Sequence, residues 1–94
     1  MKSLPPDVVP YHRTAEFSEL TLPDALRRRH TTKAGTWGRI CVVRGALRYR
    51  ILAAEPEEHV LSPERCGVVE PEVPHEVELL GEVRFFVEFL RRRE

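Results

Sequence analysis

Two histidines, far apart in the chain, are the residues whose type is best suited to chemistry. His30 opens the segment His-Thr-Thr-Lys-Ala-Gly-Thr-Trp-Gly at residues 30–38, and His75 lies in the segment Pro-His-Glu-Val at residues 74–77. A neutral imidazole can bind a transition-metal ion or exchange hydrogen bonds with a small ligand. If the strands that carry them converge, the two rings would form one metal or ligand site.

The elements that would position these histidines are short β-strands. Strand-like runs, in which apolar residues alternate with polar ones or cluster between turn residues, occupy residues 39–43, 47–51, 59–61, 67–69, 75–79 and 83–89. We expect the first two runs to form a hairpin about the turn at Gly45. Over the whole chain we expect seven or eight short strands, which predict an all-β fold, either a sandwich or a small barrel of the jelly-roll type.

Residues 1–24 differ from the rest of the chain, because four prolines interrupt them. This predicts an extended N-terminal arm with turns rather than a long helix, anchored by Val8, Val9 and Phe17. With 94 residues, the chain is expected to form a single domain, residues 1–94, made of this arm and of barrel strands over residues 25–90.

Composition excludes several partners. The formal net charge is 0, so no basic field draws the protein to nucleic acid or to an anionic membrane. No apolar run approaches the ~20 residues of a membrane span, and no signal peptide opens the chain, so we expect a cytoplasmic protein.

Asn and Gln are absent, which is typical of a thermophilic host. Cys41 and Cys66 form no CxxC motif, and a disulfide between them is not expected in a reducing cytosol.

Each histidine also has a plainer interpretation. His75 shares the parity of Val77 and Leu79, which places it inside, where it could simply be a core histidine bonded to a backbone carbonyl. His30 follows three consecutive arginines, and taken alone it would be a surface residue. The site interpretation therefore depends on the two histidines being brought together.

The order of these segments resembles a known family. Residues 30–38 followed by residues 42–47, and Glu58-His59, residues 69–71 and residues 75–78 after them, are similar to the TehB-type tellurite-resistance cupins over nearly the whole chain. The resemblance implies a small cupin β-barrel with a pocket, in which His30 and His75 are the metal-binding pair. By general cupin habit, it also implies a homodimer.

The chain departs from the family pattern in two respects. Some family members carry a methyltransferase domain after the cupin, and here the sequence stops at Glu94, so we expect no methyltransferase activity. Cupins usually offer a second histidine two residues after the first and then a carboxylate. Thr32 occupies the first of these positions, and Trp37 and Gly38 lie where the carboxylate would be. A standard site of three histidines and one glutamate therefore cannot be assembled from these motifs.

A metal site at His30 and His75 needs at least one further ligand, since catalytic zinc normally takes three from the protein. The candidates are His59, Glu70 and Cys41, although Glu70 could equally be a turn residue beside Pro71. Imidazole ligands suit a divalent transition metal such as Zn, Fe, Ni, Mn or Cu.

Four further residues are candidates for the pocket wall or its rim: Trp37, Arg39, Tyr49 and Lys33. The aromatic side chains could equally be core. Arg39 has the parity of Trp37 and Cys41, and if it points inward it could bind an oxyanion with Lys33 nearby. The alternative for Arg39 is an internal salt bridge to one of the many glutamates.

The sequence thus leaves several functions open. The first is a metal-binding small cupin that takes up a small molecule or oxyanion, in a stress response. The second is a metal-free binding or sensing module. The third is a metal-dependent oxygenase or isomerase, in which Glu70 or His59 could act as the general base. A purely structural role in a dimer is the remaining alternative.

Overall fold

The computed structural model describes residues 1–93, apart from the side chain of Leu26. In chain order its elements are β1 (Val8–Arg13), β2 (Phe17–Ser18), α1 (Asp24–Arg27), β3 (Trp37–Arg44), β4 (Leu47–Ile51), β5 (Glu57–Leu61), β6 (Gly67–Val69), β7 (His75–Leu79) and β8 (Arg84–Arg92). The predicted strands are therefore present. Within the described residues, the helical content is the single turn α1.

The strands form two antiparallel sheets. One has the order β1-β8-β3-β6, with β2 also paired to β8, and the other has the order β5-β4-β7. Between them lies one apolar core, to which Leu47, Tyr49 and Leu61 contribute from the three-stranded sheet and Ile40 and Phe85 from the five-stranded sheet. This confirms the predicted all-β class, as a sandwich of two separate hydrogen-bonded sheets. Closure into a jelly-roll barrel stays a prediction.

The hairpin predicted for residues 39–43 and 47–51 is wrong. β3 pairs with β6 and β8, whereas β4 pairs with β5 and β7, so the turn at Gly45 carries the chain from one sheet to the other. Gly45 has a positive φ of 84°, and a Cβ built there would lie 2.2 Å from the carbonyl oxygen of Glu82. The crossover therefore needs a residue without a side chain.

Alternation within the strands places the core as the sequence predicts. Leu47, Tyr49 and Ile51 are buried, while Arg48 and Arg50 between them are half-buried on the outer face. There, Arg48 pairs with Glu58 (2.7 Å) and Glu78 (3.1 Å). Arg50 also bonds Glu78, and these bonds lower the pKa of the Glu78 carboxyl. The charged side chains of β4 thus lie on the solvent-facing side of its sheet.

The N-terminal arm is extended, as its prolines predict. β1 and β2 both lie along β8, where Val8 is opposite Arg92 and Phe17 is opposite Phe85. The Phe17 and Phe85 rings are 5.6 Å apart, which joins the arm to the core. No helix in the described part of the chain has the length and apolar character needed to cross a membrane.

Candidate functional site

His30 and His75 are directly paired through their backbones. The amide of His30 donates to the carbonyl of His75, and the amide of His75 donates to the carbonyl of His30, both at 2.8 Å. His75 is the first residue of β7, so the loop that carries His30 is fastened onto the start of this strand. Directly opposite residues of an antiparallel pair project to the same side of the sheet, which brings the two imidazoles together.

The loop after His30 is held by a local hydrogen-bond network. The buried Thr32 hydroxyl donates to the carbonyl of Thr36 at 2.8 Å, and the amide of Thr36 donates to the carbonyl of Lys33 at 3.1 Å. Gly35, with φ of 78°, makes the turn between them. The amide of Glu72 donates to the carbonyl of Thr32, which ties this loop to the segment before His75. His30 is therefore positioned by backbone as well as by its own pairing.

The two imidazole rings meet edge to face. Their centroids are 5.4 Å apart with an interplanar angle of 77°, and the Tyr49 ring lies 5.9 Å from that of His75. The Tyr49 hydroxyl donates to the carbonyl of Val68 at 2.9 Å, and burial raises the pKa of this phenol. The Tyr49 ring is therefore held in place beside His75.

Among the residues that the structure describes, one nitrogen of the His75 ring has a hydrogen-bond partner and the other has none. Nδ1 lies 3.3 Å from the carbonyl of Val73 and donates to it, so the neutral ring presents Nε2 as an acceptor. Burial lowers the pKa of His75, the bond to Val73 opposes that shift, and the charge of His30 adds to it. At neutral pH, His75 is thus an uncharged imidazole with a free lone pair, the form that accepts a hydrogen bond or a metal ion.

This lowered pKa makes a prediction about stability. The unfolded chain takes up a proton on this histidine near pH 6.5, whereas folded His75 resists it. The contribution to stability is therefore complete above that pH and is lost as the pH falls towards the folded pKa. We expect the melting temperature to drop between pH 7.5 and pH 5, and to drop less in His75→Gln. Equal pH dependence in the two proteins would contradict this assignment.

The two rings line one cavity of about 60 Å³ between the sheets, which we call the histidine cavity. Its wall is formed by Thr14, Phe17, His30, Thr32, Gly38, Ile40, Val69, His75, Val77, Phe85, Val87 and Phe89. A volume of this kind has room for roughly four to six water-sized groups, because one water needs about 10–15 Å³. The cavity therefore fits a molecule of a few heavy atoms.

The wall of the histidine cavity carries no ionic group among the residues that the structure describes. It has no Asp, Glu, Lys, Arg or Cys, and its only polar side chains are the two histidines and two threonines. The Thr14 hydroxyl already accepts from the amide of Val87, and Thr32 bonds Thr36. The histidines are thus the groups left to orient a ligand.

None of the three residues considered as a third metal ligand lines this cavity. His59 bonds Glu57 through Nε2 (2.9 Å) and Arg65 through Nδ1 (2.8 Å), so both its nitrogens are engaged. Glu70 pairs with Lys2 at 3.6 Å. Cys41 lies on the outer face of β3, beside Cys66. Over residues 1–93, no three His, Cys, Asp or Glu side chains converge on a common point.

The residues predicted for the pocket rim also lie elsewhere. In β3, Gly38 and Ile40 are buried, so Trp37 and Arg39 face outward. Arg39 Nε donates to Glu88 at 2.9 Å, which is the salt bridge that the sequence left as an alternative. Lys33 is exposed in the loop after His30. Tyr49 is buried and touches His75 without lining the cavity itself.

Sequence reasoning did not single out most of the cavity wall. Phe85, Val87 and Phe89 alternate along the strand predicted at residues 83–89 and so share one face, but nothing in the sequence indicates that this face borders a void. Thr32, considered only as a missing ligand, proves to be the residue that anchors the His30 loop. Thr32 lies two residues after His30, so in an extended segment both side chains point to the same side, and this could have placed Thr32 on the same wall.

Comparison with known proteins identifies the family. The family model of the TehB-like domain matches residues 12–87, which include both histidines, all of β2 to β7 and parts of β1 and β8. The chain belongs to the TehB-like family. This confirms the resemblance predicted from the histidine segments.

The two curated relatives that this TehB-like chain matches are larger proteins. It is 31% identical over 80 residues to a protein of Haemophilus influenzae strain KW20 Rd, named as the probable S-adenosyl-L-methionine-dependent methyltransferase TehB. It is 30% identical to the protein of that name in strain 10810. Both matches cover 81% of this chain and 28% of the relative, so the chain spans about a quarter of the length of the curated relatives it matches.

Solved structures show the same fold. The crystal structure of TehB from Haemophilus influenzae superposes with a TM-score of 0.82 at 28% identity, over 93% of this chain and 32% of that one. A protein from Escherichia coli K12 superposes with a TM-score of 0.87 at 24% identity, over 100% of both chains. A domain of this size and fold therefore occurs both inside a longer protein and as a whole solved chain.

Proposed function

We propose that this TehB-like domain binds a small molecule in the histidine cavity, with His30 and His75 as its polar contacts. The observation that carries the proposal is the reciprocal backbone pairing of the two histidines, which sets both rings on the wall of one cavity. Apolar side chains supply most of that wall, as is typical of small-molecule sites with few polar groups.

The electrostatics of the wall limit the kind of ligand. A full anion would be buried without a fixed cation, which is costly, so it would require a protonated histidine. A neutral ligand needs only to donate a hydrogen bond to Nε2 of His75. We therefore propose a small neutral molecule with a donor group, or an oxyanion bound in its protonated form, within the tellurite-resistance setting of the family. We also propose a cytoplasmic location and a homodimer.

A titration with sodium tellurite, by calorimetry at pH 6 and pH 8, tests this proposal. We expect binding that is tighter at pH 6, because the protonated oxyanion becomes more abundant while the lowered pKa of His75 favours the neutral ring that accepts at Nε2. His30→Gln and His75→Gln should each weaken it at least tenfold. His59→Gln is the matched control, since both nitrogens of His59 are engaged outside the cavity. Equal affinity in all four proteins would remove the histidine cavity as the binding site.

A divalent metal ion at the same two histidines is the second candidate. Two imidazoles on one tetrahedral ion, with metal–nitrogen distances of about 2.0–2.1 Å, place their ring centroids roughly 5 Å apart. The observed separation is 5.4 Å. The residues present could fill only two coordination positions of such an ion, since no third side chain converges there within residues 1–93. The ligand or water would have to fill the others.

Elemental mass spectrometry separates the two candidates. Zn, Fe, Ni or Mn at one ion per chain, absent from the His30→Ala/His75→Ala double variant, would establish the metal. If the tellurite affinity is instead unchanged by prior treatment with EDTA, the cavity works without one.

A further inference from the structure

Cys41 and Cys66 are neighbours across two strands, away from the histidine cavity. β3 pairs with β6 so that Gly38 is opposite Val69, Arg39 opposite Val68 and Ile40 opposite Gly67. One further step of the same antiparallel register places Cys41 opposite Cys66, which directly precedes β6. Directly opposite residues project to the same face, so both thiols lie on the outer side of the five-stranded sheet.

The two thiols interact and can be reached from solvent. Burial, and then the charge and hydrogen bond of the Cys66 side chain, raise the pKa of the Cys41 thiol to about 11. Both cysteines are free, Cys41 being half-buried and Cys66 exposed. The pair is thus a reduced dithiol with one side open.

We propose that Cys41 and Cys66 form a two-thiolate site for a soft monovalent cation of the copper(I) class. Thiolates are the protein ligands that select this ion. On binding, each thiol gives up its proton to water and each sulfur donates an electron pair to the ion, so one cation replaces two protons and no oxidant is needed.

The spacing of the strands favours a bridging ion over a disulfide. Opposite Cβ atoms in an antiparallel pair are about 4.5–5.5 Å apart, whereas a disulfide prefers about 3.5–4.5 Å with its sulfurs ~2.05 Å apart. At the metal–thiolate distance known for zinc, about 2.3 Å, an ion between two sulfurs spans up to roughly 4.6 Å. The cross-strand pair therefore accommodates the ion with less distortion of the sheet.

The surroundings fit the charge and coordination number of this ion. Two thiolates and one monovalent cation leave one negative charge. The bond to Glu88 raises the pKa of the Arg39 guanidinium most, and the charges of Cys41 and Cys66 raise it further, so Arg39 lies near the pair. Glu88 shares this positive charge and raises the pKa of Cys41 in turn. Phe86, opposite Cys41 on β8, adds an apolar neighbour. Within the described residues no third His, Cys, Asp or Glu joins the pair. This excludes a zinc site with four protein ligands and leaves two-coordination, which copper(I) readily adopts.

The test is an anaerobic titration of the reduced protein with copper(I), in competition with a chromophoric copper(I) chelator. We expect one copper per chain, confirmed by native mass spectrometry, and at least tenfold weaker binding in both Cys66→Ser and Cys66→Ala. Since Cys66 is exposed, these variants should keep the melting temperature of the wild type. His30→Gln/His75→Gln should bind copper like the wild type, because its histidines lie in the cavity and not beside the thiols.

Three results would overturn the proposal. The first is a copper(I) affinity in the Cys66 variants equal to that of the wild type. The second is loss of copper binding in the histidine variant. The third is a wild-type protein that takes no copper from the chelator, while its mass falls by two hydrogens on exposure to air. The last result would identify the pair as a disulfide-forming one.

Discussion

Replacing Gly45 by alanine is expected to destabilise the protein by about 3–5 kcal/mol, a large part of the roughly 5–14 kcal/mol expected for a chain of this length. The new Cβ would lie 2.2 Å from the Glu82 carbonyl oxygen and 3.2 Å from the Val83 Cα, both of which are backbone atoms. A non-glycine residue at φ of 84° adds roughly 1–2 kcal/mol of its own. Urea unfolding monitored by circular dichroism measures the loss.

Two other glycines show how much of this destabilisation comes from the positive φ alone, without the steric contact of the new Cβ. Gly35 and Gly81 also have positive φ, at 78° and 92°, but a Cβ at either would meet no atom within 4 Å. Gly35→Ala and Gly81→Ala should therefore cost only the conformational part, about 1–2 kcal/mol. If Gly45→Ala costs no more than these two, the close approach to the 82–83 backbone does not constrain the crossover.

The second large effect is expected for Phe85→Ala, at about 3–5 kcal/mol. Phe85 is 2% exposed, packs against Phe17 and lines the histidine cavity. Its truncation removes buried apolar area and enlarges the cavity, and the surrounding strands can collapse only in part. The same variant should also admit larger ligands, which a thermal-shift comparison of small and bulky ligands would detect.

Phe86→Ala is the matched control, one residue further along β8 on the opposite face. Its ring is half-buried beneath the Arg13 guanidinium, whose central carbon lies 3.9 Å from the ring centroid. The expected cost is about 1 kcal/mol. Similar losses for the two phenylalanines would mean that the alternation of β8 does not separate core from surface.

The sequence predicts strands better than it predicts their partners. Residues 47–51 and 67–69 were predicted with the observed bounds, because alternation or turn residues define them locally. The pairing of β3 was predicted wrongly, since a short turn usually makes a hairpin and nothing near Gly45 reveals that the Glu82 backbone occupies the space beside it. That information lies in contacts between distant parts of the chain.

The facing of β3 illustrates a second limit. Apolar residues occupy both parities of this strand, and its inward position Gly38 has no side chain to mark the buried face. Arg39 therefore could not be placed with certainty, and the structure puts it beside Glu88. The pairing of His30 with His75 was anticipated as a convergence, but only the three-dimensional register shows that it runs through the backbone.

The position of β8 in its sheet has a consequence for how the chain folds. This strand follows all the others in sequence, yet it is the hydrogen-bonded partner of β1, β2 and β3. During synthesis, β1 and β2 therefore stay without their partner until β8 has been made. Because pairings between segments so distant in sequence are slow to form, these two strands are the ones exposed for longest during folding.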